Sequence, residues 1–233
     1  MHPLLPVLQK GLGALGLVLS ADQQTQLLAY MDLIAKWTKV YNLTAVRDAN
    51  EMLTHHLLDS LAVIAPLRRE LAKLSLPSSG DGTIPAGSVT SRPAPSKFSL
   101  LDVGSGAGLP GIVIAIVCPE VSVTCVDTVA KKAAFIQQVA ATLKLSNLKG
   151  LHARVECLTQ PYDVVCSRAF ASLIDFTTWS QSTLAPHGVW MAMKGKHPDQ
   201  ELAVLPESVH VFHVEQIQVP GLDAERCIIW MRG

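Results

Sequence analysis

Residues 100–111, Leu-Leu-Asp-Val-Gly-Ser-Gly-Ala-Gly-Leu-Pro-Gly, decide the fold. A short apolar run ends in Asp102 and Val103 and passes into a loop holding Gly104, Gly106, Gly108 and Gly111. An apolar strand followed by a glycine-rich turn and a helix lets a ligand approach the backbone closely, because a side chain there would block it. Some positions of such a turn also need positive φ, which glycine supplies without strain. A merely tight turn rarely spends four glycines in eight residues.

Outward from this loop the texture is α/β. Candidate strands lie at 98–103, 121–126, 148–153, 162–167, 188–194, 209–219 and 226–231. Helical stretches follow Gly108 and occupy 129–145, 172–184 and 199–205. Alternation of this kind predicts a parallel, doubly wound sheet. The last two strands are joined by a short connection with Pro220 and Gly221, too short for a helical crossover, so they pair antiparallel.

The N-terminal part reads as helical. Ser20 and Gln23 form a capping box, and Leu27, Leu28, Met31, Ile34 and Ala35 recur at helical spacing as far as Trp37. A second helix is expected from Ala49 to Ile64, with Met52, Leu53, Leu57, Leu61 and Ile64 on one side. The run Gly11–Leu19 is apolar, but Pro3, Pro6 and Gln9 stand before it and no small-residue cleavage site follows, so a signal peptide is not expected. Residues 75–97 interrupt everything: Ser, Pro and Gly make up 13 of 23, the composition of a flexible insertion. The expected organisation is therefore a helical segment over 1–74, the insertion, and one α/β domain over 98–233.

Composition excludes several classes. At 233 residues, 49% hydrophobic, the chain can bury a full core. Lys and Arg total 19 against 19 Asp and Glu, so any nucleic acid must be met by a local patch rather than a basic domain. The five cysteines, Cys118, Cys125, Cys157, Cys166 and Cys227, show no C-x-x-C spacing and fit a reducing, cytoplasmic setting. His55 and His56 diverge on a helix and His210 and His213 fall on opposite faces of a strand, so no metal site is expected.

Two ligands compete for the loop. From Gly106 it reads G-x-G-x-x-G, the dinucleotide pattern of NAD(P)- or FAD-dependent oxidoreductases; from Asp102 it reads D-x-G-x-G-x-G, the pattern of S-adenosylmethionine enzymes. Asp127, ending the next strand, suits ribose hydroxyls in either class. The remaining chain is short for a second mononucleotide half, which favours the methyl donor. A non-enzymatic division or ribosome-assembly protein with a degenerate pocket is the third reading, and the intact glycines, Asp127 and Arg168 argue against it.

Several motifs in order carry a more specific resemblance: YNLTAVRD at 41–48, LTHHLLDSLA at 53–62, LLDVGSGAGLPGI at 100–112, VD at 126–127 followed by KKAAF, RVE at 154–156 and SRAFASL at 167–173. Together they resemble the RsmG, or glucose-inhibited division protein B, family of 16S rRNA guanine-N7 methyltransferases. The resemblance implies a class I S-adenosylmethionine-dependent methyltransferase fold. Its substrate would be guanosine 527 in the 530 loop of 16S rRNA within a 30S particle, and the enzyme a cytoplasmic monomer. Carried over by motif, Gly104 and Leu109 line the cofactor site, Gly106 and Gly108 permit close approach, Asp127 takes the ribose, Val155 and Glu156 flank the adenine, and Arg168 closes the methionine end. Arg168 has a positioning role only, since guanine N7 has no proton to lose and needs no general base. Candidate RNA contacts are Arg47, His55, Lys131, Lys132, Arg154, Lys194 and Lys196. From the residues alone, Val155 is equally well read as core, Glu156 as a solvated charge, and Arg168 as a brace for its loop.

Overall fold

The structure, a computed structural model, describes residues 2–75, 98–170 and 172–233. The expected insertion therefore lies, apart from Ser75, outside the described residues.

Five short apolar strands make the parallel part of the sheet: β1 (Phe98–Val103), β2 (Val121–Asp127), β3 (Leu148–His152), β4 (Tyr162–Arg168) and β5 (Leu184–Lys194). Helices α6 (Gly111–Val117), α7 (Ala130–Thr142) and α8 (Leu173–Ser180) connect them. A short α9 (Asp199–Ala203) leads to the terminal hairpin of β6 (His210–Ile217) and β7 (Arg226–Arg232).

The sheet order is β3-β2-β1-β4-β5-β7-β6, with β7 antiparallel to both neighbours. The hairpin pairs as its short connection requires, and its second strand is the one inserted beside β5. Hydrophobicity explains the choice: β7 is buried at five consecutive residues, Cys227–Met231, as a central strand must be, whereas β6 has no fully buried residue and forms the edge. This is the sheet that the resemblance to class I methyltransferases leads one to expect. The chain reverses its winding between β1 and β4, the point where an open α/β sheet leaves a crevice at its carboxyl ends.

Period-2 alternation divides the strands between two cores. Leu100, Val164, Met191, Ile228 and Trp230 face one side; Leu101, Val165, Trp190, Ile229 and Met231 face the other. Leu173 and Phe176 of α8 cover the second face, while α6 and α7 cover the first.

The N-terminal helices α1 (Leu5–Ala14) and α2 (Ala21–Tyr41) share that first core, Leu27, Leu28 and Ile34 joining Ile112, Val113 and Ile136. The Ser20–Gln23 capping box is present, and the Gln23 amide also donates to the carbonyls of Ile116 and Val117, tying the start of α2 to the end of α6. The helix runs four residues past Trp37 to a left-handed Asn42, and Ala35 is exposed rather than part of the buried stripe. Helix α1 was not among the expected elements; it carries one proline, Pro6, and two glycines, Gly11 and Gly13. Pro6 sits in the first turn, where no hydrogen bond is lost. Gly11 lets Leu58 pack closely on the helix: a Cβ there would lie 2.5 Å from Leu58 Cδ2, and the leucine would have to shift.

The single helix expected over Ala49–Ile64 is instead broken. A turn of α3 (Ala49–Met52) opens on the Asp48 cap, a π-helical stretch follows at Leu53–Leu58, and α4 (Asp59–Leu61) ends before α5 (Ile64–Leu74). All five apolar residues expected on one side are buried. The wider π turn re-aims the residues after it, which places Asp59 inside the molecule.

A bulge corrects one further expectation. His210 pairs with Arg232 and His213 with Trp230, so an extra residue near Val211 puts both histidines on the same face. Both are exposed. Among the described residues no group of three or more His, Cys, Asp or Glu could hold a metal ion.

Candidate active site

Three of the loop glycines have positive φ: Gly104 at 67°, Gly106 at 59° and Gly108 at 88°. The tight path is therefore dictated by residue type. Their surroundings differ, however. A Cβ on Gly108 would lie 2.3 Å from Ile112 Cδ1, so this glycine lets the loop pack on α6 and lines neither of the cavities described below. A Cβ on Gly104 would press on the Phe170 ring at 3.3 Å, and one on Gly106 would meet nothing closer than 4.0 Å. These two form the ligand-facing surface of the loop.

The loop's own amides are already engaged. Gly104 and Ser105 donate to the Val126 carbonyl, and Gly106 donates to Asp127 Oδ2 at 2.9 Å. Asp127 Oδ1 accepts from Val129 N at 2.8 Å, so a buried carboxylate fixes both the loop and the turn after β2. Lys132 stands 3.7 Å from the same carboxylate.

The amino end of α6 is likewise taken: Gly111 N donates to Asp102 Oδ2 at 2.9 Å. In dinucleotide folds that helix end receives a pyrophosphate. Here the protein's own carboxylate sits there, fully buried, so the loop fits a phosphate-free nucleoside better than NAD or FAD. Burial pushes the Asp102 carboxyl up to about 6 despite the opposing Gly111 hydrogen bond and the Arg168 charge.

Two cavities meet at Gly104. The first, about 410 Å³, runs past Val126, Asp127, Thr128, Ala153, Arg154, Val155, Glu156, Phe170 and Trp179. Trp179 meets Phe170 edge-on at 5.6 Å between centroids, giving the cavity an aromatic wall, and Val155 adds apolar lining. A carboxylate at one end and flat apolar surfaces at the other fit the ribose and adenine of an adenosyl group.

The second cavity, about 590 Å³, lies between the loop and the N-terminal helices. Gly106, Ala107 and Leu109 form its floor, and Leu43, Thr44, Val46, His55, His56 and Asp59 one wall. Arg168, Met193, Lys194 and Arg226 close the other side. His56 lies 2.6 Å from Thr44 Oγ1, which itself accepts from Val46 N. Burial, then the Arg168 charge, lowers the His56 pKa, so the ring is neutral at pH 7.

The expected site residues thus divide. Asp127, Lys132, Arg154, Val155 and Glu156 gather at the smaller cavity; Gly106, Leu109, His55, Arg168 and Lys194 gather at the larger; Gly104 belongs to both. Arg168 reaches Asp59 Oδ2 at 2.9 Å and the His55 carbonyl at 3.1 Å, the bracing its position allowed. Lys194 is committed to both oxygens of Glu201, at 2.9 and 2.8 Å, which counts against a phosphate contact.

Arg47, Lys131 and Lys196 line neither cavity. Arg47 donates to the Thr38 carbonyl and Asn42 Oδ1, Lys131 lies over the Tyr41 ring at 5.3 Å, and Lys196 borders a shallow depression beside Arg226.

Sequence reasoning missed Asp59, Arg226, Phe170 and Trp179. Asp59 lies inside the LTHHLLDSLA motif and Phe170 inside SRAFASL, so the signal was present without a spatial partner. Arg226 and Trp179 carried no local signal.

The family model GidB, described as rRNA small subunit methyltransferase G, matches residues 23–75 and 88–229. The chain is 66% identical over 225 residues to Ribosomal RNA small subunit methyltransferase G of Polaromonas sp. (strain JS666 / ATCC BAA-500), covering 97% of this chain and 92% of that protein. It is 63% identical over 232 residues to the protein of the same name from Albidiferax ferrireducens, covering 100% and 98%. Among solved structures, TrmN from Thermus thermophilus aligns over 58% of this chain and 44% of its own, at 17% identity and a TM-score of 0.49.

Proposed function

The chain belongs to the GidB family of rRNA small subunit methyltransferases, and from that premise we propose that it methylates N7 of guanosine 527, in the 530 loop of 16S rRNA. It is an S-adenosylmethionine-dependent rRNA methyltransferase. The oxidoreductase reading is not favoured, and the Asp102 carboxylate at the α6 amino end gives the physical reason. In this reading residues 98–233 form the transferase domain, 1–74 a helical segment serving the acceptor side, and the protein acts as a cytoplasmic monomer on a 30S particle.

The observation that carries the assignment is the pair of cavities joined at Gly104. Asp127, Val155, Glu156 and Trp179 would hold the adenosyl group, leaving the larger cavity for the acceptor base. S-adenosylmethionine supplies a methyl carbon made electrophilic by a sulfonium.

Guanine N7 carries an in-plane lone pair and no proton, so the residues of this chain have no proton to remove. Their task is alignment at near-attack distance. Leu43, Leu109 and Met193 make part of the larger cavity apolar, and Asp59, the only acidic lining residue among the described residues, is consumed by two arginines. The neutral His56 ring also lines this cavity, but guanine N7 offers it no proton to take.

The test is to map N7-methylguanosine by borohydride and aniline cleavage of 16S rRNA from strains with and without the gene. Cleavage at position 527 only when the gene is present is expected. Unchanged cleavage in its absence overturns the assignment.

A further inference from the structure

Asp59 opens α4 directly behind the π-helical stretch and is 3% exposed. Its two oxygens are divided between two strands: Oδ2 accepts from Arg168 Nη1 at 2.9 Å and Oδ1 from Arg226 Nε at 2.8 Å. Arg168 ends β4 and Arg226 begins β7, and these strands are not neighbours, since β5 lies between them. One carboxylate from the N-terminal helices therefore fixes two guanidinium groups across the carboxyl edge of the sheet. All three residues line the larger cavity.

Such an arrangement is a poor way merely to attach a helix. Buried ion pairs seldom stabilise more than apolar packing of the same volume, because both charges must be dehydrated. The helices already share an extensive apolar core with α6 and α7. What the carboxylate adds is geometry and charge. Two guanidinium groups against one carboxylate leave one positive charge on the wall, while the Lys194 charge is cancelled by Glu201.

Arg168 uses only Nη1, and Arg226 only Nε and Nη1, so the Nη2 groups of both are unbonded among the described residues. A guanidinium fork held at one edge presents its other edge in a fixed direction, the requirement for gripping a phosphate.

We infer that Asp59 is a positioning residue of the transferase: it sets Arg168 and Arg226 as a fixed cationic pair for the acceptor strand's phosphate, so the acceptor side assembles only with the N-terminal helices docked. This rests on the reading of the larger cavity as the acceptor site. The smaller cavity contains none of the three residues, which separates cofactor binding from the effect.

The experiment compares wild type with Asp59→Asn, Arg226→Gln and the double variant. It reads transfer of labelled methyl to 30S subunits lacking the modification, and S-adenosylhomocysteine binding by calorimetry. Asp59→Asn is expected to keep S-adenosylhomocysteine affinity within about threefold and to lose about 30-fold in kcat/KM for the subunit, while the double variant loses no more than the poorer single. A merely structural role would lower cofactor binding and transfer together.

Wild-type kcat/KM in folded Asp59→Asn, or losses that multiply in the double variant, overturn the inference. If Asp59→Asn does not fold, Arg226→Gln carries the decision: unchanged cofactor affinity with a large loss of kcat/KM supports the pair, and wild-type transfer refutes it. Total methyl transfer is counted whichever base accepts it, so mapping the position tests the proposed function separately.

Discussion

The Tyr30 hydroxyl donates to the carbonyl oxygen of Ala107 at 2.7 Å, joining the middle of α2 to the floor of the glycine loop. Both residues are buried, and burial pushes the phenol pKa well up, so the hydroxyl stays protonated and available as a donor. Tyr30→Phe keeps the ring stacked on Phe135 but orphans a buried carbonyl, at a cost of about 1–3 kcal/mol. Urea unfolding should show that loss, and calorimetry a weaker S-adenosylhomocysteine affinity because the loop floor is freed. Equal affinity in the variant would mean that the loop holds its shape without α2.

Gly106 and Gly108 should fail differently when changed to alanine. Both have positive φ, but only at Gly108 does the new methyl collide with a core side chain, Ile112. Gly108→Ala should lose about 2 kcal/mol of stability or more through strain plus repacking. Gly106→Ala meets open space in the larger cavity, so about 1 kcal/mol of backbone strain is expected, and any change in cofactor affinity comes through the Gly106 N–H that holds Asp127. Unfolding curves and calorimetry on the two proteins separate the cases.

Asp102 makes stability fall as pH rises. Its folded pKa of about 6 exceeds the ordinary carboxyl value of 3.8, so the native state holds the proton more tightly between these values. The group's favourable contribution is complete below pH 3.8 and is lost as pH rises through 6. Asp102→Asn removes this titration while leaving an oxygen to accept from Gly111 N. Unfolding free energies from pH 4.5 to 7.5 should show wild type losing stability relative to the variant up to about pH 6 and running parallel above it. Parallel curves throughout would show that Asp102 does not titrate there.

Local signals carried the sheet and loop because each rests on neighbours in sequence. The β1–loop–α6 unit, the Ser20 cap and the terminal hairpin follow from hydrophobic runs, a capping box and a short connection. Helix α1 was hidden because its Gly11 serves a contact with Leu58, 47 residues away. The break at Leu53–Leu58 was hidden because a π turn buries the same apolar residues as an α-helix would. The Asp59 cluster shows the limit most clearly: Asp59 and Arg168 lie in two separate motifs and Arg226 in none, and only tertiary packing joins them.

Trp179 provides a direct reporter of the smaller cavity. It is 41% exposed and lines that cavity, whereas Trp190 and Trp230 are buried in the core and Trp37 packs on Phe135, outside both cavities. Adding S-adenosylhomocysteine should therefore change tryptophan fluorescence through Trp179. Trp179→Phe should remove most of that change and keep a flat aromatic wall, leaving affinity within about threefold, as expected when an aromatic ring replaces another. Trp179→Ala should lose about 1–2 kcal/mol of binding by deleting that wall and its edge-on contact with Phe170. A full fluorescence response in Trp179→Phe would place the adenosyl group elsewhere and remove the basis for dividing cofactor and acceptor between the two cavities.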